Sequence, residues 1–322
     1  MTALVNDEAL AVQALGLGRS FGTNRAVDGV DLTISTGMIF GLLGPDGAGK
    51  STLIRMLATV LAPETGDATI FGNSVRRSAD RVIPRIGYMS QHFSMYPDLS
   101  VNENLNFFAT LRGVGRAERR RRAAELMSAM GLVEFADRRA RHLSGGMKQK
   151  LMLAATLMHQ PDLLLLDEPT TGVDPVSRRE FWRILAGFHR AGKTVLVATP
   201  YMDEAERCGY LAFLSGGRII REGSPTDIKA VVPGTLFELT TPQPRAVLAA
   251  VAVVPNVRSA HLYGDVVRVL WTSNGGGGAE ELTSRLAAAG VPVGAVRPAR
   301  VDMEAAFAFL AESERLIEVA EP

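Results

Sequence analysis

The sequence predicts an α/β protein whose first part carries a parallel or mixed sheet and whose last part is a smaller α+β domain. Three observations support this prediction. Short apolar runs alternate with helical stretches through the first half of the chain. A glycine-rich turn joins one of these runs directly to an apolar helix. Past residue 230, strand-like and helix-like patterns follow one another in the order βαββαβ, which is the ferredoxin-like order.

Three apolar runs in the first part predict buried strands. Residues 38–43 lead into the glycine-rich turn, and the helix beyond it is predicted over 52–61. Residues 163–166 are an unbroken leucine run, which is typical of a strand covered on both faces. Residues 194–198 form the third run. We therefore expect an open α/β sheet that binds its ligand at the carboxyl ends of its strands.

The predicted domain layout has two parts. The first domain spans residues 1–232 and includes a mostly helical subdomain at about 95–160. At roughly 100 to 200 residues per domain, 322 residues fit one large domain and a smaller one. Pro233-Gly234 marks a linker before the accessory domain at 235–322, in which the glycine run at 275–278 predicts a flexible loop. The strands of this second domain are predicted at 236–240, 257–262, 266–271 and 293–296, and its helices at 246–254, 280–289 and from about Met303.

Composition and charge exclude several kinds of protein. With 47% hydrophobic and 21% charged residues, the chain is close to the globular average and does not suit wholesale disorder. Its 35 basic and 34 acidic residues give a net charge of +1, so we expect no direct contact with nucleic acid. The single cysteine, Cys208, excludes an intrachain disulfide and a cysteine-rich metal site. A single cysteine is consistent with a reducing compartment such as the cytosol.

The sequence also predicts neither a membrane span nor a secretory leader. A spanning helix needs about 20 consecutive apolar residues, and the longest apolar run, at 246–254, is less than half that length. The amino terminus carries Asp7 and Glu8 and lacks a basic stretch followed by an apolar one. We therefore expect any membrane association to come through a partner.

A phosphate-binding motif follows the first buried strand. The pattern G-x-x-x-x-G-K-[ST] lies between a predicted strand and a predicted helix, which is the context that a P-loop requires. Glycines let successive backbone N–H groups face one anion, and the helix start adds its positive end. Lys50 is expected to reach the terminal phosphates, Ser51 to ligate Mg²⁺ and Thr52 to add a phosphate contact. The motif consists of Gly44, Pro45, Asp46, Gly47, Ala48, Gly49, Lys50 and Ser51.

Two acidic residues follow the second buried strand. Asp167 and Glu168 come directly after the leucine run, at the edge where open α/β sheets bind ligands. Because side chains alternate in direction along a strand, the two carboxylates are expected to do different jobs. Asp167 is the better candidate for the metal side, and Glu168 is the candidate for polarising the attacking water. A strand that merely ends in solvated acids is the alternative, and the neighbouring P-loop makes it the weaker one.

A second motif comprises Leu143, Ser144, Gly145, Gly146, Met147, Lys148 and Gln149. It closely resembles the signature sequence of the ABC-type ATPases. A serine and two glycines at a helix start present a hydroxyl and bare N–H groups to an anion. In that family this surface completes the ATP site of the other subunit, so the resemblance implies a head-to-tail dimer with two composite sites. It also implies a P-loop NTPase core with an antiparallel β subdomain and a helical subdomain, and ATP and Mg²⁺ as cofactors.

Three further positions match the family in sequence order. Phe21 occupies the place of the aromatic residue that stacks on adenine, and a core phenylalanine is the alternative. Gln91 resembles the Q-loop glutamine that touches Mg²⁺ and water, and a solvated glutamine is the alternative. Asp174 resembles the D-loop aspartate that couples the two sites across the dimer. The resemblance therefore implies catalytic roles for Glu168 and Gln91, and metal binding by Ser51, Gln91 and Asp167.

Two positions depart from the family pattern. Where the family places a switch histidine that hydrogen-bonds the γ-phosphate, this chain has Pro200, which has neither a side-chain donor nor a backbone N–H. We therefore expect slow ATP hydrolysis. Asp46 stands where asparagine is commoner. Together with the sequence Thr199-Pro200-Tyr201, Asp46 makes the chain most similar to one module of the tandem-ATPase multidrug exporters.

The resemblance covers about residues 10–230 and implies a function. The chain is expected to be the ATP-binding, ATP-hydrolysing subunit of an ABC-2-type exporter, peripheral on the cytoplasmic face of the cell membrane. It would power the efflux of drugs or other small molecules through partner permease subunits, which the family docks at residues 92–112. A second ATP-binding subunit, identical or different, is the other expected partner. The terminal βαββαβ unit resembles, more loosely, the accessory domain of such exporters.

Two other functions remain open on the sequence alone. The arginine-rich stretch at 112–141 suggests a soluble ABC ATPase that acts on ribosomes, although a solvated helix face explains the same charges. Ribosome-acting relatives usually carry two modules and a long charged linker, which this sequence lacks. Pro200 suggests a regulatory subunit with a degenerate site, whose intact signature motif serves a different ATPase.

Overall fold

The computed structural model describes residues 10–272 and 278–320 of the chain. The acidic residues Asp7 and Glu8 and most of the glycine run at 275–278 lie outside the described residues. Within them, no helix is both long enough and apolar enough to cross a membrane.

The chain divides into two compact units between Ser224 and Pro225. The first unit alternates strands with helices. Its strands are β1 (Leu10–Phe21), β2 (Asn24–Ser35), β3 (Ile39–Leu43), β4 (Thr65–Ile70), β5 (Asn73–Ser74), β6 (Ile86–Met89), β7 (Leu163–Asp167), β8 (Thr194–Ala198), β9 (Tyr210–Ser215) and β10 (Arg218–Gly223). Its α-helices are α1 (Lys50–Leu57), α2 (Ala79–Val82), α3 (Val101–Leu111), α4 (Arg116–Ala129), α5 (Gly145–Leu157), α6 (Pro175–Arg190) and α7 (Met202–Ala205).

The strands of the first unit form two sheets. One is antiparallel, with four strands in the order β2-β1-β4-β5. The other has six strands in the order β10-β9-β3-β8-β7-β6, in which β9, β3, β8, β7 and β6 run parallel and β10 pairs antiparallel at one edge. The three predicted strands are the adjacent inner strands β3, β8 and β7, and every residue in them is buried. This burial explains their unalternating apolar sequences.

Helix α1 lies between the two sheets. It contacts β2 of the antiparallel sheet and β7 and β8 of the parallel sheet, and Leu53, Ile54, Met56 and Leu57 are all fully buried. The main hydrophobic core is built around it. The helix predicted over 52–61 is shorter than expected, since it ends at Leu57 and Thr59 adopts a left-handed φ of +60°. The helix is therefore held by burial of its apolar side chains rather than by its length.

The predicted helical region consists of α3, α4 and α5. Ser100 starts α3 with a capping box, because its hydroxyl accepts a hydrogen bond from Glu103 N–H and the Glu103 carboxylate accepts one from Ser100 N–H. Helix α4 carries many of the arginines, and Arg121 pairs on its exposed surface with Glu118. Arg122 also pairs with Glu118, but it is buried and donates to Met158 O. Pairing at helical spacing is typical of a solvated face.

The second unit begins earlier in the chain than predicted. Its elements are α8 (Pro225–Ala230), β11 (Thr235–Thr240), α9 (Pro244–Val251), β12 (Val257–Tyr263), β13 (Val266–Trp271), α10 (Gly278–Ala288), β14 (Ala295–Ala299) and α11 (Met303–Ala320). The sequence predicts that 225–232 belongs to the domain at 1–232. The structure corrects that boundary, because α8 packs against α11 of the second unit.

From β11 to β14 the element order is βαββαβ, as the sequence predicts. The four strands pair antiparallel in the order β12-β13-β11-β14, so that each βαβ crossover skips one strand. This is the split arrangement of a ferredoxin-like sheet. Helices α9 and α10 cover one face, where Phe237, Leu239, Val251, Val269 and Leu282 form a separate core.

Candidate active site

The turn between β3 and α1 fits so tightly that two of its residues must be glycine. A Cβ atom on Gly44 would lie 2.1 Å from the carbonyl oxygen of Leu214, and one on Gly49 would lie 2.0 Å from that of Ala26. Their φ angles are +154° and +103°, which side chains other than glycine rarely adopt. The turn is therefore braced by β9 and β2, one strand from each sheet, and its curled backbone is fixed before any ligand arrives.

Lys50 opens α1 and lies beneath this turn. Its Nζ donates to the carbonyl oxygens of Gly44 and Pro45, at 2.9 and 3.0 Å. It also lies 3.6 Å from the carboxylate of Glu168, and the lysine side chain is only 4% exposed. A buried ammonium group held at this point places one positive charge at the base of the turn.

Ser51 connects α1 to β7. Its hydroxyl donates to Oδ1 of Asp167 at 2.8 Å. Asp167 is fully buried, and its Oδ2 has no hydrogen-bond partner among the residues that the structure describes. Burial raises the pKa of the Asp167 carboxyl, and the hydrogen bond from Ser51 opposes that shift. The pair therefore places a hydroxyl oxygen and a carboxylate side by side, and one carboxylate oxygen has no hydrogen-bond partner among the described residues.

Glu168 takes a different direction from Asp167, as strand alternation predicts. Its φ is +48°, an uncommon value for glutamate, and its N–H donates to Ala198 O at the end of β8. Its carboxylate oxygen Oε2 accepts from Gln91 Nε2 at 2.9 Å and from Thr171 Oγ1 at 3.2 Å. The two acids therefore serve separate partners, with one facing Ser51 and the other facing Gln91 and Lys50.

These groups border a cleft of about 370 Å³. Phe21 lies at the end of β1 on the edge of this cleft and is 51% exposed, so the alternative of a core phenylalanine is wrong. Arg19 lies over its ring, at 5.3 Å from the centroid. The ring thus offers a π face to a flat ligand. The residues that line the cleft are Phe21, Asn24, Ala26, Asp46, Gly47, Ala48, Gly49, Lys50, Ser51, Thr52, Gln91 and Glu168.

The signature motif lies outside this cleft. Ser144 caps α5 by accepting a hydrogen bond from Met147 N–H at 3.3 Å, and both Ser144 and Gly145 are exposed. Gly146 is buried, and a Cβ atom there would lie 2.5 Å from Ser177 Oγ on α6. Gln149 follows on the same helix, and its side-chain oxygen lacks a partner within the described part of the chain.

Asp174 caps the neighbouring helix α6. Its carboxylate accepts from the N–H groups of Val176 and Ser177, at 3.0 and 2.9 Å. These bonds hold the pKa of Asp174 below its ordinary value. The structure therefore brings the signature motif and Asp174 together at the starts of two packed helices. It leaves both apart from the P-loop cleft of the same chain.

The loop after β8 contains the position where the family has histidine. Pro200 follows Thr199, whose N–H donates to Leu42 O at 3.2 Å and whose hydroxyl donates to Glu204 Oε2 at 2.6 Å. Sequence reasoning did not single out Glu204, which is fully buried. The motif around it holds three acids, and nothing in their spacing shows which one points inward. Only the packing of α7 identifies it.

Comparison with known proteins gives a consistent result. A family model described as ABC transporter matches residues 27–171. The chain is 40% identical over 270 residues to the probable multidrug ABC transporter ATP-binding protein YbhF of Escherichia coli, covering 83% of this chain and 46% of YbhF. It therefore spans about half the length of that relative. Over 230 residues it is 43% identical to the daunorubicin/doxorubicin resistance ATP-binding protein DrrA of Streptomyces peucetius, covering 71% of this chain and 70% of DrrA.

Solved structures agree with the fold of the first unit. The dimeric, post-hydrolysis structure of the ATP-binding cassette MJ0796 with ADP and Pi has a TM-score of 0.61 and 27% identity, and it covers 66% of this chain and 98% of that one. Another match is the ATP-binding subunit of an ABC transporter, with a TM-score of 0.63 and 26% identity over 69% of this chain and 92% of that chain. This chain belongs to the ATP-binding subunits of ABC transporters.

Proposed function

We propose that this chain hydrolyses ATP as the nucleotide-binding subunit of an ABC-2-type exporter, and that it powers efflux of drugs or other small molecules through partner permease subunits. One observation carries the proposal, namely a convergence of side chains at one edge of the six-stranded sheet. The turn bearing Lys50 follows β3, Gln91 follows β6 and Glu168 follows β7. Open α/β sheets bind their ligands at this edge.

The donor set fits Mg²⁺ entering with the nucleotide. Ser51 Oγ lies 2.8 Å from Asp167 Oδ1, and Asp167 Oδ2 is buried without a partner among the described residues. Hydroxyl and carboxylate oxygens are hard ligands, and Mg²⁺ usually takes substrate phosphates and waters as its remaining ligands. Ser51 and Asp167, with the side-chain oxygen of Gln91, are the residues that would hold it. When bound, the ion would neutralise part of the phosphate charge.

Glu168 is placed to act on the attacking water. Its carboxylate is oriented by Gln91 and Thr171 and lies 3.6 Å from Lys50 Nζ. A carboxylate fixed in this way can accept a proton from water at the edge of the cleft. Lys50 and the N–H groups of the turn would meet the charge that develops on the γ-phosphate. Pro200 adds no donor there, and we expect slow turnover for that reason.

Two ATP-binding subunits, identical or different, would close head to tail around the nucleotide. The exposed Ser144 and Gly145 lie away from the cleft of their own chain, and a helix start of this kind suits a triphosphate. Asp174 lies beside them and would couple the two sites. The MJ0796 cassette is dimeric, which supports an assembly of two subunits by analogy.

Permease subunits are the proposed membrane partners. In the docking region expected at 92–112, Leu105 is buried, but Tyr96, Phe107 and Leu111 are 49%, 40% and 70% exposed. Apolar side chains exposed together mark an interaction surface. A subunit held there would be peripheral on the cytoplasmic face of the membrane. The names of the drug-resistance relatives support small-molecule cargo for this chain by analogy.

The test is Mg²⁺-dependent ATP hydrolysis by the purified chain, followed by co-purification from detergent-solubilised membranes. The proposal predicts slow turnover that disappears in Glu168→Gln, and recovery of membrane proteins with several apolar helices. Recovery of ribosomes instead would favour the soluble alternative. Recovery of a second, more active ATPase, with no turnover by this chain alone, would favour the regulatory alternative that Pro200 suggests. No binding of MgATP would contradict the whole proposal.

A further inference from the structure

The carboxylate of Glu204 joins two loops of the active site. It lies on α7 and is fully buried, and both of its oxygens are used. Oε1 accepts from Thr170 Oγ1 at 2.5 Å, and Oε2 accepts from Thr199 Oγ1 at 2.6 Å. Thr170 belongs to the loop after β7, and Thr199 belongs to the loop after β8. One side chain therefore spans the ends of two neighbouring parallel strands.

Both hydroxyl groups donate to this carboxylate, and Thr199 Oγ1 also accepts from Tyr201 N–H at 3.1 Å. Thr170 and Thr199 are 1% and 0% exposed, so water does not replace the bonds. Each hydroxyl has one proton to donate, and the carboxylate offers one oxygen to each of them. Arg178 Nε on α6 lies 3.8 Å from Glu204 Oε1. Both carboxylate oxygens of Glu204 thus have a hydrogen-bond partner, and such a buried connection restrains the two loops.

The two loops that Glu204 joins are the ones that position Glu168. Glu168 stands two residues before Thr170 and adopts a left-handed φ of +48°. Its N–H is tied to Ala198 O, immediately before Thr199. A backbone of this kind is retained only where its surroundings fix it. The link between Thr170 and Thr199 through Glu204 is a second connection between the same two loops.

We propose that Glu204 is a positioning residue that fixes the orientation of Glu168 by clamping the loop after β7 to the loop after β8. The inference rests on the proposed function, in which Glu168 acts on the attacking water. Glu204 itself lies outside the nucleotide cleft and does not line it. Its contribution should therefore appear in the chemical step and not in nucleotide binding.

The loop after β8 makes this clamp more important in this chain. Pro200 offers no side-chain hydrogen bond to the γ-phosphate. Contacts within the protein must therefore hold the loop in place. Thr199 is bonded to Leu42 O and to Glu204, and the Tyr201 ring lies under the guanidinium of Arg178 at 4.0 Å. These contacts tie the loop to α7 and α6.

Threonine-to-valine variants test the clamp, because they remove one hydroxyl with little change of shape. Thr170→Val and Thr199→Val should each lower kcat for ATP by about 10- to 100-fold, as expected for a displacement near 1 Å. KM and the dissociation constant of the nucleotide should change by less than about twofold. Thr199→Ser keeps the hydroxyl and should restore most of kcat. The double variant should lose no more kcat than the worse single variant, because the loss of either hydrogen bond already breaks the connection between the two loops.

Thr241→Val is the matched control. Thr241 is 6% exposed and its hydroxyl donates to Pro292 O at 2.8 Å, but it lies in the second unit. The kcat of Thr241→Val should equal that of the wild type. A fall in activity that appeared only through KM, or an unchanged kcat in Thr170→Val, would overturn the proposal.

Hydrogen exchange separates this inference from the proposed function. In Glu204→Gln, peptides containing 168–171 and 199–201 should exchange faster together, while peptides of α9 stay unchanged. If the wild type hydrolyses no ATP, the proposed function fails, and the exchange result still decides the clamp. Exchange that is unchanged in both loops would overturn the clamp whether or not the protein is an ATPase.

Discussion

The side-chain amide of Gln91 donates to the carboxylate of Glu168 across 2.9 Å. The two residues follow β6 and β7, which are parallel neighbours in the sheet. The loop after β6 continues directly into the region 92–112, which carries the exposed apolar side chains. A partner that moved this region would thus move a hydrogen-bond donor of the candidate catalytic base. The contact gives a physical connection between the proposed permease surface and the proposed chemistry.

Glu168→Gln should abolish turnover while keeping nucleotide bound. Removal of a general base typically costs about 10²- to 10⁴-fold in rate, and the amide can still occupy the same space. We expect kcat to fall within that range with the affinity for MgATP unchanged, measured by steady-state hydrolysis and equilibrium binding. Glu180→Gln is the control, because Glu180 on α6 pairs with Lys150 on α5, neither residue lines the cleft, and the change should not alter kcat. Equal losses in both variants would remove Glu168 from its assigned role.

Lys50→Met should weaken nucleotide binding. The ammonium group is buried at the base of the turn, and a hydrogen bond to a charged group is worth about 1.5–3 kcal/mol. The dissociation constant of MgATP should therefore rise by about 10- to 100-fold, measured by calorimetry. Lys193→Met, which breaks an ion pair with Asp162, should leave that constant unchanged. Wild-type affinity in Lys50→Met would contradict the assignment of this cleft.

Phe21→Ala should weaken binding by a smaller amount. A stacked aromatic pair contributes about 0.5–1.5 kcal/mol beyond buried area, so we expect about a twofold to tenfold rise in the dissociation constant. Phe21→Tyr should keep wild-type affinity. Leu15→Ala provides the control, since Leu15 is also an exposed apolar residue of β1, at 61% exposure. If the two alanine variants bind equally well, the ring does not stack on the base.

Pro200→His should raise turnover. The new imidazole could supply the missing donor to the γ-phosphate, and a bond to a charged group made in the transition state can increase kcat about tenfold. Pro200→Ala removes the ring without adding a donor and should not raise kcat. The comparison uses saturating MgATP in both variants. Unchanged or lower turnover in Pro200→His would count against the assigned register of this loop.

The pH dependence of stability should reveal the buried Asp167. Burial raises its pKa above the ordinary 3.8, so the native state binds this proton more tightly than the unfolded state. Stability is therefore lost as pH rises from that value through the folded pKa. Asp167→Asn removes the penalty and should be more stable than the wild type at neutral pH, in urea denaturation without nucleotide. The difference should shrink as the pH falls toward the ordinary pKa.

Asp162→Asn is a control of opposite sign. Burial by itself would raise the pKa of Asp162, but hydrogen bonds from Lys193 and Arg85 outweigh it and lower the pKa. Its ionised form therefore stabilises the fold above the unfolded pKa, and the amide should destabilise the protein at neutral pH. The same sign of change in both variants would show that burial does not dominate at Asp167.

Elements that have a contiguous pattern of their own can be predicted from the local sequence. The glycine-rich turn, the leucine run of β7 and the βαββαβ order are visible because each is a contiguous stretch with a distinct period or composition. The end of α1 was not visible, since it depends on how the two sheets enclose the helix. The boundary between the units was misplaced because α8 is assigned by its contact with α11, far along the chain.

The same distinction applies to the site. Lys50, Ser51, Asp167 and Glu168 follow from motifs, but the pairing of Gln91 with Glu168 depends on β6 and β7 being neighbours. Glu204 could not be selected from its acidic neighbours, because its burial is decided by the packing of α7 against two loops. Tertiary contacts of this kind leave no periodic signal in the sequence.

The most direct test of the account is the association state of Glu168→Gln with and without MgATP, measured by analytical ultracentrifugation. We expect an ATP-dependent dimer that reverts to monomer when Ser144→Arg is added, while the doubly substituted chain still binds MgATP. Glu168→Gln that binds MgATP and remains monomeric at every concentration, or a dimer that Ser144→Arg leaves intact, would contradict the claim that one copy's signature motif covers the nucleotide held by another subunit.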